Sequence, residues 1–285
     1  MLHNNASIYL LAGPTASGKS AKAVEWAKRT GGTILNADSM QLYADVPMLT
    51  ARPGAADLAQ APHVLYGHLS PDRLWSAGDW LRAARPHIAT ALDGGPPLCI
   101  VGGTGLYFNA LVHGLAEVPS IDSDVRARAR AAFIDLGEHA FRDTLKQFDP
   151  EAEARIMPRD QQRLSRAYEV LLQTGKSLTW WQSQTHPELP DTSYTLELLN
   201  PDRAWLYERC DQRLQFMLDA GALDEVNGLM SKGLSMDWPI MRVLGLREFV
   251  AYLNDETGLD VALDLARQKT RNYAKRQMTW FRNQF

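Results

Sequence analysis

The chain has 285 residues, of which 45% are hydrophobic and 22% are charged, and its formal net charge is −3. These values are near the averages for globular proteins, so the molecule is not a polycation and affinity for nucleic acid must come from local basic patches. Two cysteines exclude a disulfide framework and a four-cysteine metal site, and no apolar run approaches the roughly 20 residues that cross a bilayer. We expect a cytoplasmic protein without a secretory signal, and nothing in the sequence indicates an assembly larger than a monomer.

Short apolar runs alternate with helical patterns in the first third of the chain. Ile8–Ala12 is predicted to be a buried strand, and a glycine-rich turn and a helix over about residues 18–29 follow it. Two further strands are predicted at Gly32–Asn36 and Pro97–Val101. Strands separated by helices predict an α/β fold, in which a parallel sheet carries helices on both faces.

The helix expected before the third strand has its own sequence signals. Ser76 and Asp79 have the spacing of a capping box, which predicts that the helix begins at this point. Pro86 lies within the same pattern and predicts a kink or a break, because proline has no backbone N–H.

The pattern changes in the second half of the chain. Residues 121–174 show helical periodicity without a convincing strand, and a short β-like run follows at Tyr194–Leu199. The rest is mostly helical. We therefore predict a core formed by residues 1–119 and 200–285, with a mainly helical insertion domain at residues 120–199.

The turn after the first strand carries a phosphate-binding motif. The sequence Gly-Pro-Thr-Ala-Ser-Gly-Lys-Ser fits G-x-x-x-x-G-K-[ST] and lies between a predicted strand and a predicted helix. Its backbone N–H groups and lysine would hold phosphate oxygens, and its last serine would offer a hydroxyl to Mg²⁺. The predicted phosphate-binding residues are Gly13, Pro14, Thr15, Ala16, Ser17, Gly18, Lys19 and Ser20, with Ser20 as the metal ligand. The core is thus predicted to be of the P-loop NTPase-like kind.

The motif alone does not indicate whether a phosphoryl group is transferred. NTPases of this class usually have an aspartate at the end of another strand, where it helps to hold Mg²⁺. Here the strand at Pro97–Val101 runs into Gly102–Tyr107, which contains no acidic residue. This absence favours a bound diphosphate that is a leaving group.

Two further loops are expected at the same edge of the sheet. The second strand ends in Asn36–Tyr43, which contains Asp38, and the third ends near Thr104 between glycines. Asp38 could be a metal ligand, a base or an N-cap of the next helix. Thr104 lies either beside a ligand that the glycines allow to approach closely or in a tight turn.

The C-terminal region is rich in basic and aromatic residues. From Arg267 to Arg282 the local charge is +6, without an acidic residue, and Tyr273, Trp280 and Phe281 lie among the cations. Single-stranded RNA loops favour such surfaces, although an amphipathic helix with solvated cations has the same pattern. Earlier in the chain, Arg159, Arg163 and Arg166 are predicted to form one stripe of a helix.

Together these motifs resemble one family, tRNA dimethylallyltransferase. The matching segments are Gly13–Ser20, Asn36–Tyr43, Gly102–Tyr107, Gln162–Ala167 with Glu169 and Thr174–Lys176, and Thr270–Arg282. They occur in the family order along almost the whole chain. The chain departs from the usual pattern at Pro47–Pro53, at His63-Val64 and at Gly245-Leu246.

The resemblance implies a reaction and a set of partners. Members of this family transfer a dimethylallyl group from dimethylallyl diphosphate to N6 of the adenosine beside the anticodon (position 37) and release diphosphate. The implied partners are dimethylallyl diphosphate, Mg²⁺ and the anticodon stem-loop of a tRNA. Asp38 would be the base, Thr104 would position the donor, and Arg213 would reach the diphosphate unless it forms a surface ion pair with Asp211 or Asp219.

The resemblance also implies a surface for tRNA. Residues of the sheet edge and the C-terminal helices would contact the extruded adenosine and the loop around it, and residues of the insertion would hold the stem-loop backbone. The implied tRNA-binding residues are Asp38, Ser39, Met40, Gln41, Thr104, Arg126, Gln162, Arg163, Leu164, Ser165, Arg166, Arg242, Gly245, Arg247, Lys275, Arg276, Gln277, Trp280 and Arg282.

Three other functions compete with this interpretation. A small-molecule kinase explains the phosphate loop but not Gly102–Tyr107 or the basic C-terminal region. An adenylate isopentenyltransferase that uses free AMP, ADP or ATP would share the core motifs but not the insertion. A non-catalytic RNA-binding module has no use for a phosphate loop.

Overall fold

A computed structural model describes residues 7–285, and its five strands form one parallel sheet. The strands are β1 (Ile8–Ala12), β2 (Thr33–Asn36), β3 (His63–Val64), β4 (Leu98–Gly102) and β5 (Tyr194–Leu198). Their order is β3-β2-β4-β1-β5, with β1 paired to both β4 and β5. Because parallel strands end at the same edge, the loops after β1, β2 and β4 meet there.

Helices separate and follow the strands. The first are α1 (Lys19–Thr30), α2 (Ala55–Leu58), α3 (Ala77–Leu92) and α4 (Gly105–Val112). The next are α5 (Ser123–Phe148), α6 (Pro150–Arg155), α7 (Gln161–Thr174) and α8 (Leu178–Ser183). The last are α9 (Arg203–Asp219), α10 (Ala222–Met230), α11 (Leu246–Leu253) and α12 (Leu259–Gln284). Over residues 7–285, no helix combines the length and the apolar character that crossing a membrane requires.

Both faces of the sheet are covered. Leu11 of β1 and Val101 of β4 belong to the same core cluster as residues of α1, so they point to one face. Their neighbours Leu10 and Ile100 point to the opposite face, because side chains alternate along a strand, and both are completely buried. The predicted fold class, a parallel sheet with helices on both faces, is therefore confirmed.

The start of α3 is as predicted, but its course differs. The Ser76 Oγ accepts a hydrogen bond from the Asp79 N–H at 3.1 Å, and the Asp79 carboxylate accepts one from the Ser76 N–H at 2.9 Å. The helix then continues through Pro86, so the predicted break is wrong. Proline removes one hydrogen bond, whereas Trp80 and Ile88 on the buried face hold both halves of the helix against the core.

The described chain divides into two compact units. One contains the chain up to Val112 together with Leu189–Phe285, and the other is His113–Glu188. The predicted insertion extended to residue 199, but β5 pairs with β1 over its whole length, from Tyr194 opposite Ile8. The strand belongs to the sheet because its backbone groups pair with those of β1. The proposed end of the insertion at 199 is corrected accordingly.

The helical unit, His113–Glu188, has its own core. Phe141 and Leu145 of α5 pack with Leu164 and Ala167 of α7. The buried carboxylate of Asp149 accepts hydrogen bonds from the Ala152 N–H at 3.1 Å and from the Thr179 hydroxyl at 2.6 Å. These contacts fix the short helices α6 and α8 beside the two longer ones.

One sequence prediction for this unit is wrong. Arg159, Arg163 and Arg166 were expected on one helical stripe, but Arg159 precedes α7 and has a positive φ of 67°. The Asp160 side chain accepts a hydrogen bond from the Arg163 N–H at 3.1 Å and caps the helix. Because aspartate is a strong N-cap, the helix begins after Arg159, and only the other two arginines lie on it.

Candidate active site

The phosphate loop, residues 13–20, joins β1 to α1 at the sheet edge. Its backbone turns through left-handed conformations at Ala16 (φ 63°) and Gly18 (φ 88°), which directs backbone N–H groups toward one side. The Lys19 ammonium donates to the Pro14 carbonyl at 3.1 Å. The Ser17 hydroxyl is buried and has no hydrogen-bond partner within the described residues. A buried polar atom without a partner is costly, so this loop fits a polar ligand.

The charge of Lys19 is sensitive to its surroundings. Burial lowers the pKa of Lys19 to about 8, the Asp38 carboxylate opposes this shift, and Arg213 adds to it. A bound anion would favour the charged ammonium in the same way as a carboxylate does. The loop therefore offers a cation whose ionisation is coupled to anion binding.

Arg213 of α9 reaches the phosphate loop. Its Nη2 donates to the Thr15 hydroxyl at 2.6 Å, and burial lowers the pKa of its guanidinium. The alternative ion pairs do not form, because Asp211 binds Arg271 at 2.6 Å and Asp219 accepts from Gln215. Arg213 is thus a desolvated cation directed at the loop.

The sequence interpretation missed Arg209, which also supports the phosphate loop. Its Nε donates to the Ala16 carbonyl at 3.1 Å, and its guanidinium lies over the Trp205 ring at 4.9 Å. Arg209 precedes Arg213 by one helical turn, and this i, i+4 spacing is the signal that could have revealed it.

Asp38 is held at the end of β2 with one oxygen engaged. Its Oδ1 accepts a hydrogen bond from the Met40 N–H at 3.0 Å and caps a short 3₁₀ turn, Ser39–Leu42. The Asn36 side chain accepts from the Asp38 N–H at 2.8 Å and donates to the Asp38 carbonyl at 2.9 Å. No other hydrogen bond of the Asp38 carboxylate occurs within residues 7–285. Asp38 can therefore cap the 3₁₀ turn with one oxygen and use the other as a base or a metal ligand.

Thr104 connects the two loops after β2 and β4. Its Oγ1 accepts a hydrogen bond from the Ser39 N–H at 2.9 Å and donates to the Ser39 hydroxyl at 3.3 Å, and its own N–H donates to the Ala37 carbonyl. A close approach is required here, because a β-carbon at Gly102 would lie 2.0 Å from the Ala37 carbonyl oxygen. Thr104 therefore orients the Asp38 loop.

A cavity of about 320 Å³ opens beside these groups. Its polar part is formed by Thr15, Asp38, Ser39 and Arg213, and its apolar part includes Met40, Leu49, Leu214, Met217 and Val243. Tyr273 and Arg276 of α12 also line it. The cavity thus joins a cationic phosphate loop, a carboxylate and an apolar compartment.

Gln277 and Trp280 of α12, both predicted tRNA contacts, also make contacts within the protein. Gln277 is buried, its Oε1 accepts from the Thr15 N–H at 2.8 Å, and its Nε2 donates to the Gly103 carbonyl at 2.8 Å. Trp280 packs so closely on Gly105 that a β-carbon there would lie 2.2 Å from the ring. Gln277 thus joins the phosphate loop to the loop after β4, and the Trp280 ring packs on the same loop after β4. Their contacts with tRNA stay predictions.

The Gln41 side chain makes hydrogen bonds within the protein. Its amide donates to the Thr50 carbonyl at 2.8 Å and to the Ala51 carbonyl at 3.0 Å. The amide hydrogens are therefore used within the protein, where they hold the segment that carries Leu49 and Thr50 into the cavity wall.

The basic residues of α12 divide into two groups. Arg267 pairs with Asp264, Lys269 with Glu248, and Arg271 with Asp211, so three of the six cations have acidic partners. The local excess of charge is thus smaller than the sequence indicates. Lys275, Arg276 and Arg282 are exposed.

Three predicted tRNA contacts, Arg242, Gly245 and Arg247, lie just before α11 or in its first turn. Arg242 is exposed and lines the cavity, whereas Arg247 is tied to the Met241 carbonyl at 3.1 Å and the Met236 carbonyl at 2.9 Å. Gly245 adopts a left-handed φ of 87° at the start of α11. Of these residues, Arg242 has the geometry for a ligand contact.

The helical unit carries an open groove of about 890 Å³. Arg126 and Arg130 lie one turn apart on α5 and line it with Arg159, Gln162 and Ser165. Leu164 is completely buried in the core of this unit, and its contact with tRNA stays a prediction. Arg163 pairs with Asp160 at 3.0 Å, and Arg166 approaches Glu169 at 3.5 Å. Both arginines keep part of their surface exposed.

A magnesium ion would have few protein ligands. No cluster of three or more His, Cys, Asp or Glu side chains suited to a metal occurs in the described part of the chain. The Ser20 hydroxyl lies exposed at the first turn of α1, without a protein partner in residues 7–285. Mg²⁺ usually keeps several waters and binds few side chains together with substrate phosphates, so this donor set fits it.

Comparisons with known proteins agree with this geometry. A family model described as IPP transferase matches residues 41–284, and one described as Isopentenyl transferase matches residues 6–67. A tRNA dimethylallyltransferase of a Caulobacter species is 52% identical over 98% of this chain and 91% of its own. One of Phenylobacterium zucineum is 51% identical over 97% of this chain and 90% of its own.

Two solved structures are also similar to this chain. The tRNA isopentenylpyrophosphate transferase of Bacillus halodurans is 34% identical, with a TM-score of 0.67 over 97% of this chain and 86% of its own. A eukaryotic dimethylallyltransferase at 24% identity has a TM-score of 0.83 over 96% of this chain and 69% of its own, and supports the fold alone.

The sheet, the phosphate loop and the cavity at the strand ends define a transferase with a P-loop α/β core. The chain belongs to the tRNA dimethylallyltransferase family, and it is a prenyl-transferring enzyme.

Proposed function

We propose that this chain transfers a dimethylallyl group from dimethylallyl diphosphate to N6 of the adenosine at position 37 of a tRNA. The observation that carries the proposal is the cavity, whose lining combines Thr15 and Arg213 of the phosphate site, the Asp38 carboxylate and apolar side chains. A prenyl diphosphate needs a cationic site for its head and an apolar site for its tail. The family assignment supports the same donor.

The phosphate loop would stabilise the leaving group. When the bond between the prenyl carbon and the diphosphate oxygen breaks, the electron pair stays on the diphosphate and its negative charge grows. Backbone N–H groups, Lys19 and Arg213 would meet this charge in a desolvated site, where such interactions are strong. Mg²⁺ held at Ser20 would neutralise further charge on the diphosphate.

Asp38 would accept the proton from the nucleophile. The N6 amine is weak because its lone pair is delocalised into the purine, and it becomes positive as the new carbon–nitrogen bond forms. The Asp38 oxygen that does not cap Met40 is available to take this proton. Thr104, bonded to Ser39, would act by positioning the Asp38 loop and the donor.

The adenosine must leave its stack before it can react. Extrusion of a base costs a few kcal/mol, and contacts with the surrounding RNA would offset it. Ser39, Met40, Arg242 and Arg276 line the cavity and are the proposed contacts of the extruded nucleotide. Further proposed contacts with the anticodon stem-loop are Arg126, Gln162, Arg163, Ser165, Arg166, Lys275 and Arg282.

The test uses radiolabelled dimethylallyl diphosphate with either unmodified tRNA or AMP as the acceptor. We expect label in the tRNA, localised by nuclease digestion to the adenosine beside the anticodon. Label in AMP would favour an adenylate isopentenyltransferase, and label in neither would contradict prenyl transfer to adenine altogether. Gel filtration of the same preparation tests the proposed monomer, and a tRNA substrate supports a cytoplasmic location.

A further inference from the structure

We propose that Glu225 is a positioning residue that holds Leu49 as an apolar wall of the cavity, and that this wall limits the length of the donor's prenyl chain. The inference rests on the proposed function, because it concerns the donor of that reaction. It assigns a role to a carboxylate on α10, a helix that contributes no residue to the proposed mechanism.

Helix α10 contacts the segment at residues 47–51 through Glu225. Glu225 lies in the first turn of α10, and its Oε2 accepts from the Met48 N–H at 2.7 Å. Its Oε1 accepts from the Leu49 N–H at 3.0 Å. One carboxylate therefore satisfies two successive backbone donors, which fixes both the position and the direction of this segment.

The same segment is also held by Gln41. Gln41 donates to the Thr50 and Ala51 carbonyls, and Ala51 adopts a left-handed φ of 51°. The backbone is thus held on either side of the Leu49 side chain. Leu49 is only 6% exposed, and its Cδ2 lies 3.7 Å from the position that a β-carbon would take on Gly245. Its side chain has little freedom to move aside.

Helix α9 gives a scale for the length of the apolar compartment. Arg213, which binds Thr15, marks the phosphate end of the cavity, and Met217 follows it on the same face of α9. Four residues of helix span about 6 Å. A dimethylallyl group is about as long as this single turn, whereas a geranyl group is about twice as long.

Leu49 and Met217 both belong to the apolar lining of the cavity. The Leu49 backbone is held in this lining by Glu225, which accepts a hydrogen bond from its N–H. Leu49, Met217 and Val243 together line this apolar part of the cavity. Extra carbons on the donor would have to displace the Leu49 side chain, and its anchored backbone opposes that displacement.

The experiment measures kcat/KM for dimethylallyl diphosphate and for geranyl diphosphate with the same unmodified tRNA. The variants are Leu49→Ala, which shortens the wall, and Glu225→Gln, which replaces one acceptor oxygen by an amide donor. Asp224→Asn is the control, since it changes an exposed carboxylate of the same helical turn. We expect both test variants to lower the preference for dimethylallyl diphosphate by at least about tenfold, and the control to keep it.

The ratio of the two donors separates this role from a general loss of stability. Partial unfolding lowers both rates by the same factor and leaves the ratio unchanged, and melting curves give the folded fraction of each variant. An unchanged ratio in either test variant would overturn the proposal. If the wild-type protein does not prenylate tRNA, the proposed function itself fails, and the two failures are thus distinguished.

Discussion

The cations of the cavity and those of the helical groove differ in their contact with water. Lys19 and Arg213 are desolvated beside the phosphate loop, where burial lowers the pKa of both. Arg126, Arg130 and Arg159 are exposed along an open groove. Buried charges interact strongly and locally, whereas exposed charges are screened by salt. The cations of the cavity are suited to stabilising charge that develops in a transition state. The cations of the groove are suited to binding along an extended phosphate backbone.

The largest expected effect concerns the carboxylate beside the buried cations. Asp38→Asn keeps an oxygen that can accept from the Met40 N–H, but it removes the base. We expect turnover to fall about 10²- to 10⁴-fold, while tRNA binding measured by filter retention is kept. Asp38→Ala, which removes both roles, is the comparison. Near-normal turnover of Asp38→Asn would leave capping as the only role of this residue.

The second largest effect is expected at Arg213, whose guanidinium is desolvated. Arg213→Ala removes the donor that reaches Thr15, and we expect kcat/KM for the diphosphate donor to fall about 10²-fold, as for other losses of a preorganised donor. Steady-state kinetics at saturating tRNA measure it. Arg203→Ala changes an arginine of the same helix that stacks on Tyr207 instead, and it is expected to retain activity. Equal losses in both variants would contradict a local role for Arg213.

A smaller effect follows from the ionisation of Lys19. Its pKa of about 8 means that the free enzyme loses this charge as the pH rises above 8, so donor affinity is full below that value and declines above it. Between pH 7 and pH 9 we expect the dissociation constant of a non-reactive thio-analogue to increase about tenfold by calorimetry. Lys19→Arg keeps its charge over this range and is expected to flatten the profile. An equal slope in this variant would assign the titration to another group.

The smallest effect concerns the exposed groove. Arg126→Ala with Arg130→Ala is expected to weaken tRNA binding several-fold and to reduce the dependence of log Kd on log salt by about 1 to 2. Arg128→Ala, on the same helix and outside the groove, is the matched control. Donor affinity is expected to stay constant in the double variant and in the control. A salt dependence that does not change would remove the groove from the RNA interface.

Much of the site could be predicted because its signals are local in sequence. The phosphate loop needs glycines and a lysine at fixed spacing between a strand and a helix, and the structure places it there. The capping box at Ser76 is equally local. The burial of Gln277 and Leu164 could not be predicted, because it depends on which side of a helix faces its neighbours. The sequence pattern of a helix does not name those neighbours.

The amino-acid sequence by itself determined the phosphate loop, the alternation of strands and helices, and the family to which the chain belongs, because each is encoded by residue types over short spans. Only the tertiary structure decided that Arg213 faces Thr15 rather than Asp211, that Gln277 joins two loops, and that Glu225 holds Leu49 in the cavity wall. These contacts join residues more than 170 positions apart, with the folded backbone bringing them within hydrogen-bond distance.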